Sequence, residues 1–322
     1  MARHFYQMEK KEDVQYCLKD GNSSCRKALL STSIYITLYI FFSMISAVTV
    51  FLNLLVIISI SHFKQLHTPT NLLILSLAVS DLLVGLIVIP VMTVAVMESC
   101  WDFGEYFCAF HFYISFLCTS LSLGNLVLIS IDRYVAVCNP LLYHSKITTT
   151  RMMCCISVTW CCSIIYDAAI IKNLVNVQVP SRCLKECFIF EGITWGNIID
   201  VVFTMVVPCS IIITLYMKIF VVARSQARKV FSKEAASVSG VKTVQANKSE
   251  TKAAKTLSIV VLNYLICWIP NLFINLFYSF LIDNFSSYFI IFLPLVNSLI
   301  NPIIYAFFYP WFKMIAKLLL TL

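Results

Sequence analysis

The chain has 322 residues, of which 60% are hydrophobic and 12% are charged, and its formal net charge is +8. A soluble domain carries about twice that share of charged residues, so the composition indicates an integral membrane protein. The basic residues are spread over many segments rather than gathered in one patch, which argues against a nucleic-acid partner.

Long apolar stretches recur along the chain without the period-two alternation of a membrane β-barrel. Each is long enough to cross a bilayer as a helix. They predict an all-α membrane protein, a seven-transmembrane helix bundle. The predicted spans cover residues 34–61, 70–97, 107–131, 153–171, 195–222, 256–282 and 287–309.

The spans divide the chain into three parts. Residues 1–32 form a polar tail without the apolar core of a cleavable signal peptide, so we expect the first span to act as the signal. Residues 33–309 form the predicted helix bundle, and residues 310–322 are predicted to be a short amphipathic eighth helix on the membrane lipid. The polar, basic segment 225–249 is predicted to be a mobile cytoplasmic loop.

The distribution of basic residues predicts the orientation. If the N-terminus is outside, fifteen of the 24 Lys and Arg residues lie in inner segments and three in outer loops. We therefore expect a multi-pass plasma-membrane protein with an extracellular N-terminus. This orientation also places the acceptor triplet Asn22-Ser23-Ser24 where N-glycosylation takes place.

Fourteen cysteines are present. Six fall in predicted outer segments, an even number that suits three disulfides but allows fifteen pairings. The remaining cysteines are expected to be free apolar fillers. The outer six are Cys17, Cys25, Cys100, Cys108, Cys183 and Cys187.

The stretch from Cys108 to Tyr134 is the element around which the chain is organised. As a helix it is about 39 Å long, which exceeds the apolar thickness of a bilayer, about 30 Å. Cys108 therefore lies near one surface, and Asp132 and Arg133 lie near the other.

Acidic residues inside predicted spans mark candidate functional sites, because charges in the bilayer are costly. Asp81 lies midway along the second span and is either a hydrogen-bonded core carboxylate or part of a cation site, with sodium as the candidate ion. Oxygen-bearing side chains of other spans would complete such a site. They are Ser122, Asn297, Ser298 and Asn301.

Asp167 and Asp200 lie in the outer halves of the fourth and fifth spans. A carboxylate in an apolar pocket is a natural partner for an ammonium ion, and aromatic residues such as Phe116 and Trp268 can add cation–π contact. Alternatively, Asp200 faces water at the helix mouth. For Asp167 the sequence does not fix which way the side chain faces.

One motif in each predicted span, in chain order, resembles the rhodopsin-like G-protein-coupled receptors. Three further strings resemble the trace amine-associated receptors, a family of amine receptors used chiefly in olfaction: SHFKQLHTPTN at 61–71, AVCNPLLY at 136–143 and YAFFYPWF at 305–312. The span motifs are FLNLLV with Asn53, LAVSDLL with Asp81, Asp132-Arg133-Tyr134, Trp160, Pro208 with Tyr216, CWIP with Trp268, and NPIIY with Asn301 and Tyr305.

The resemblance implies a small-amine ligand and a heterotrimeric G protein of the stimulatory class, with cyclic AMP as output. Arg133 would contact the G protein in the active state and pair with Asp132 and Glu250 at rest. Trp268 would be the switch under the ligand, and Tyr216 and Tyr305 would move toward Arg133. It also implies a Cys108–Cys187 disulfide, with Cys17–Cys183 and Cys25–Cys100 as further pairings.

The chain departs from the family pattern at the ligand anchor. Amine receptors of this family usually carry an aspartate seven residues after the third-span cysteine, and here that residue is Ser115. Because a hydroxyl cannot form the ion pair, we hypothesise that the anchor has moved to Asp200. Its polar neighbours would be Ser115, Thr204 and Asn271. If Asp167 also faces the pocket, a diamine becomes a candidate ligand.

Three other functions make different demands on the sequence. A receptor for a non-amine ligand stays open because Ser115 removes the usual anchor. A transporter would favour internal repeats and broken helices, whereas this sequence contains no internal repeat. An enzyme is not expected, because the five histidines are scattered and form no catalytic set.

Overall fold

The computed structural model describes residues 32–97, 103–175, 200–234, 258–270, 286–308 and 312. Within these ranges five helices are long and apolar enough to cross a membrane, and Ser258–Pro270 and Phe292–Phe307 are shorter apolar helices. They correspond in order to the seven predicted spans, named first to seventh below.

The first span is Thr32–His62, and a 3-10 turn, Lys64–Leu66, leads to the second. The second comprises Pro69–Leu83, a π-helical turn at Val84–Val88 and Ile89–Met97. The third, fourth and fifth are Glu105–Cys138, Thr149–Val175 and, after a π-helical turn at Val202–Val206, Val207–Glu234. The sixth is described over Ser258–Pro270 and the seventh is Ser286–Phe308.

Each π-helical turn lies just before a proline. Pro90 follows the turn at Val84–Val88, and Pro208 follows the turn at Val202–Val206. Proline has no N–H and its ring collides with the carbonyl four residues earlier in a regular helix. One wider turn relieves that collision without ending the helix.

The third span is at the centre of the described bundle. It packs against the second, fourth and fifth spans, while the first packs against the second and seventh. The main apolar cluster joins Leu77, Leu126 and Tyr305 from three different spans. Large apolar side chains on the outward faces, such as Met44 and Phe220, are exposed, as expected for contact with lipid.

The fifth helix is longer than predicted. The prediction that residues from 225 onward form a loop is wrong for 225–234, because the helix continues to Glu234. This segment contains Ala, Arg, Lys, Gln and Glu, which favour a helix even without an apolar face. Residues 235–249 lie outside the described ranges.

A short helix that the sequence analysis did not predict begins within the string AVCNPLLY and extends beyond it. This helix, Pro140–Lys146, has its proline in the first turn, where a missing N–H costs nothing. Of the predicted eighth helix, only Phe312 is described, and its side chain is buried in the main apolar cluster.

The contact between the third and fourth spans depends on a glycine. A Cβ atom at Gly124 would lie 2.6 Å from Cγ2 of Thr159. We expect Gly124→Ala to lower the melting temperature of the detergent-solubilised protein by a few degrees, since overpacking costs roughly 1–3 kcal/mol.

The matched rescue is Thr159→Ser, which removes the methyl group and keeps the hydroxyl that donates to the Cys155 carbonyl at 2.9 Å. The double variant Gly124→Ala/Thr159→Ser should regain most of the lost melting temperature. A double variant that melts as low as Gly124→Ala would show that this contact is not the cause.

Candidate ligand and coupling sites

Asp200 begins the described part of the fifth span and is half-buried. Its Oδ1 accepts a hydrogen bond from the Tyr166 hydroxyl at 2.5 Å, which joins the fifth span to the fourth. The Thr204 hydroxyl donates to the Asp200 backbone carbonyl at 2.7 Å rather than to its carboxylate. Thr204 is therefore next to the proposed anchor, but its hydroxyl donates to the helix backbone and not to the anchor's carboxylate.

The side chain of Asp167 points into the bundle. It is only 3% exposed, and its Oδ1 accepts a hydrogen bond from the Ser120 hydroxyl of the third span at 3.1 Å. Its Oδ2 is buried and has no hydrogen-bond partner among the described residues. The facing of this carboxylate, which the sequence left open, is thus toward the third span.

Ser115 and Trp268 are both partly buried on the third and sixth spans. The Ser115 hydroxyl donates its hydrogen bond to the His111 backbone carbonyl of the same helix at 2.9 Å. Trp268 stacks on Tyr264 with ring centroids 5.5 Å apart, and its buried Nε1 has no hydrogen-bond partner within the described ranges. Phe116 is partly buried, and Asn271 lies outside the described residues.

In the middle of the bundle, Asp81 is completely buried and connects the second span to the seventh. Its Oδ1 accepts from the Ser298 hydroxyl at 2.7 Å and its Oδ2 from the Asn301 amide at 2.9 Å. Oδ1 of Asn301 is buried with no partner in the described part of the chain. An orphaned oxygen beside a carboxylate suits the oxygen-only coordination of a hard cation.

The other two candidate ligands of this site are also buried. The Ser122 hydroxyl lies 3.5 Å from the Ser80 hydroxyl, and Oδ1 of Asn297 accepts from the Asn263 amide of the sixth span at 2.8 Å. Asp81, Ser298 and Asn301 are therefore in direct contact, whereas Ser122 and Asn297 are bonded to other neighbours.

At the inner end of the third span, Asp132 and Arg133 form a buried ion pair. Their side chains are 0% and 4% exposed, and the closest N–O distance is 2.5 Å. Thr70 donates to Asp132 at 2.9 Å, and the Tyr143 hydroxyl of the short loop helix donates at 3.0 Å. Arg133 also donates to the Thr70 hydroxyl at 2.6 Å.

Thr70 and Tyr143 were missed as functional residues by the sequence analysis, although both lie in strings that carried the resemblance. Burial and the Asp132 charge raise the pKa of Tyr143 to about 12. Its ordinary value is 10.0, so this hydroxyl keeps its proton and remains a donor at every physiological pH.

The remaining predicted switch residues are placed as follows. Tyr216 and Tyr305 contribute to the main apolar cluster, Tyr305 as one of its fully buried members. Tyr134 is partly buried, with the Lys218 ammonium 5.9 Å from its ring centroid. Glu250 lies outside the described residues, so its pairing with Arg133 stays a prediction.

Cys108 is disulfide-bonded, and eight other cysteines of the described ranges are free. The predicted pairings involve Cys17, Cys25, Cys100, Cys183 and Cys187, which lie outside those ranges together with Asn22. Among the described residues no group of three His, Cys, Asp or Glu side chains could hold a metal ion.

Comparison with known proteins gives consistent matches over nearly the whole chain. Residues 52–305 match the family of 7 transmembrane receptors (rhodopsin family). The chain is 36% identical to trace amine-associated receptor 13c of Danio rerio and 39% identical to trace amine-associated receptor 6 of Pan troglodytes. Each match covers 96% of this chain and 92% of the relative.

A third relative, trace amine-associated receptor 8c of Rattus norvegicus, is 38% identical over 96% of this chain and 93% of its own length. These matches confirm the resemblance drawn from the motifs and the predicted bundle of seven helices. The chain belongs to the trace amine-associated receptors, within the rhodopsin family of G-protein-coupled seven-transmembrane receptors.

Proposed function

We propose that the protein is a receptor for small amines whose ammonium group binds Asp200. The observation that carries the proposal is the pair of carboxylates in the outer half of the bundle, Asp167 and Asp200. Among the described residues, the ion pair that forms joins Arg133 to Asp132. Within those residues, neither Asp167 nor Asp200 is paired with a lysine or an arginine.

Asp200 is suited to an ammonium ligand because its described side-chain partner is a neutral donor. The Tyr166 hydroxyl orients the carboxylate without cancelling its charge. An ammonium group offers three charged donors, and hydrogen bonds to charged groups are worth about 1.5–3 kcal/mol each. The relatives are named for trace amines, which supports the same ligand class.

The inner face supports coupling to a heterotrimeric G protein. Arg133 is held by Asp132 and by Thr70. The resemblance to the family assigns the pairing of Arg133 with Asp132 to the resting receptor. We propose that the ligand favours a state in which these contacts open, and that ligand and G protein raise each other's affinity.

The finer features of the proposal come from the family and from the sequence. We propose a stimulatory G protein with cyclic AMP output, an olfactory role, and a plasma-membrane location with the N-terminus outside. Glycosylation at Asn22 and an allosteric sodium ion near Asp81 belong to the same proposal.

The test is cyclic AMP in cells that express the chain, challenged with a panel of primary amines. Asp200→Asn keeps the size of the side chain and removes its charge, so we expect the half-maximal amine concentration to rise at least about tenfold. Phe203→Leu is the matched control, because Phe203 is on the same helix but 65% exposed on its outer surface.

Each alternative gives a different result. Silence to every amine, in a chain that reaches the cell surface, would refute the amine ligand and leave a receptor for another ligand class. An amine response that survives Asp200→Asn unchanged would refute Asp200 as the anchor.

A further inference from the structure

We propose that two adjacent side chains of the sixth span, Asn263 and Tyr264, bias the resting and active states of the receptor in opposite directions. Asn263 holds the sixth span against the seventh, whereas the buried hydroxyl of Tyr264 destabilises the described arrangement. Both are positioning residues, because neither belongs to the residues proposed to bind the amine or the G protein. These roles rest on the proposed coupling to a G protein and not on the class of ligand.

Asn263 forms a direct link between two spans. Its amide Nδ2 donates a hydrogen bond to Oδ1 of Asn297 on the seventh span at 2.8 Å. Oδ1 of Asn263 accepts a weaker bond from the Cys267 thiol, 3.8 Å away. Asn297 is 2% exposed, and Ser298, the next residue of the chain, donates to Asp81. The amide pair therefore extends the polar network of the second and seventh spans to the sixth.

Tyr264 has the opposite character. It is 0% exposed and belongs to the main apolar cluster, together with Leu126 of the third span and Ile212 of the fifth. Its ring stacks on Trp268, about one helical turn away, while its hydroxyl is buried without a hydrogen-bond partner among the described residues. Such a hydroxyl has lost its bonds to water and gained none in return, so it destabilises the state in which it occurs.

The direction of each effect follows from what a movement of the sixth span can change. The Tyr264 hydroxyl makes no hydrogen bond within the described ranges, so a movement costs it none and can bring it to water or a backbone carbonyl. The Asn263 amide already has its bond, which the same movement can only keep or break. Because the described arrangement has the resting pair of Arg133 and Asp132, Tyr264 favours activation and Asn263 opposes it.

The first test is Tyr264→Phe, which removes the hydroxyl and keeps the ring and its stacking on Trp268. We expect ligand-free binding of a non-hydrolysable GTP analogue, scaled to receptor at the cell surface, to fall at least about threefold. It is measured in the wild type and in Asp132→Asn, where we expect stronger ligand-free signalling. The melting temperature of the detergent-solubilised protein should rise by a few degrees, because the described arrangement loses an unsatisfied donor.

The matched contrast is Asn263→Leu, which replaces the adjacent side chain with an apolar one of similar size. We expect ligand-free signalling to rise at least about threefold and the melting temperature to fall by a few degrees, because Oδ1 of Asn297 loses its donor. The double variant with Tyr264→Phe should signal at a level between the two single variants. Leu262→Met is the control, because Leu262 is 57% exposed on the same helix and should change neither quantity.

The outcomes decide the role of each side chain separately. Tyr264→Phe with undiminished ligand-free signalling, or with a lowered melting temperature, overturns the role of Tyr264. Asn263→Leu that lowers the melting temperature but leaves signalling per surface receptor unchanged has only a structural effect and overturns the role of Asn263. In both cases activation of G proteins by the wild type leaves the proposed function standing. If neither the wild type nor Asp132→Asn activates a G protein, with or without amines, the proposed coupling and these roles both fall.

Discussion

Replacing Asp132 with asparagine is expected to raise ligand-free signalling about tenfold. Asp132 is fully buried and accepts hydrogen bonds from Arg133, Thr70 and Tyr143, and an asparagine of the same size loses the charge and one acceptor. Charge-assisted hydrogen bonds are worth about 1.5–3 kcal/mol, and about 1.4 kcal/mol changes an equilibrium tenfold. When the active state is a minor population, that energy appears almost fully as activity.

The measurement is binding of a non-hydrolysable GTP analogue to G proteins in membranes, scaled to receptor at the cell surface. It does not depend on which G-protein class couples. Thr70→Ala and Tyr143→Phe each remove one neutral donor, so we expect smaller increases than for Asp132→Asn. Because all three side chains share one carboxylate, the effects of combined variants should not add.

Arg133→Ala provides the decisive contrast. It breaks the same ion pair from the other side, yet it also removes the group that we propose contacts the G protein. Ligand-free signalling should therefore fall below wild type rather than rise. If Asp132→Asn and Arg133→Ala moved signalling in the same direction, the ion pair would not be a restraint on the active state.

The membrane spans could be predicted from the sequence because the bilayer imposes their length and apolarity. Apolarity indicates a helix only within the bilayer, so it could not show that the fifth helix continues to Glu234 in a polar segment. Nor could it show the helix Pro140–Lys146, which is too short and too exposed to give an apolar period.

The site was only partly predictable for a related reason. Asp132 and Arg133 are adjacent in the sequence, but Thr70 is 62 residues from Asp132, and no local pattern links them. The fourth span is apolar on most sides, so its rotation, and hence the facing of Asp167, follows from packing against the third span and not from periodicity. Ser120, a polar residue of the third span, is the sequence feature that could have indicated which way Asp167 faces.

Sodium is expected to lower ligand-free signalling and amine potency of the wild-type receptor by about fivefold or more, and Asp81→Asn is expected to abolish this effect. Asp81 is bonded to Ser298 at 2.7 Å and to Asn301 at 2.9 Å, and Oδ1 of Asn301 has no partner in the described ranges. A sodium ion placed here would draw the second and seventh spans together. It would therefore stabilise the resting arrangement of the seventh span.

Asparagine at position 81 has nearly the same volume but no charge, so it tests the ion rather than the packing. The salt series should replace sodium with potassium or N-methylglucamine at constant ionic strength, which keeps screening of surface charges the same. Ser298→Ala should weaken the sodium effect, because it removes one oxygen and leaves the Asp81 charge. A sodium effect of wild-type size in Asp81→Asn would contradict the site.

The outer carboxylates provide the necessary second comparison, since sodium could also compete with an amine at Asp200. Competition there would alter amine potency but not ligand-free signalling, because no amine is present to be displaced. In Asp200→Asn we therefore expect sodium still to lower ligand-free signalling, as in wild type. If that effect disappeared with Asp200 and persisted without Asp81, sodium would act at the outer pocket, and Asp81 would be a hydrogen-bonded core carboxylate.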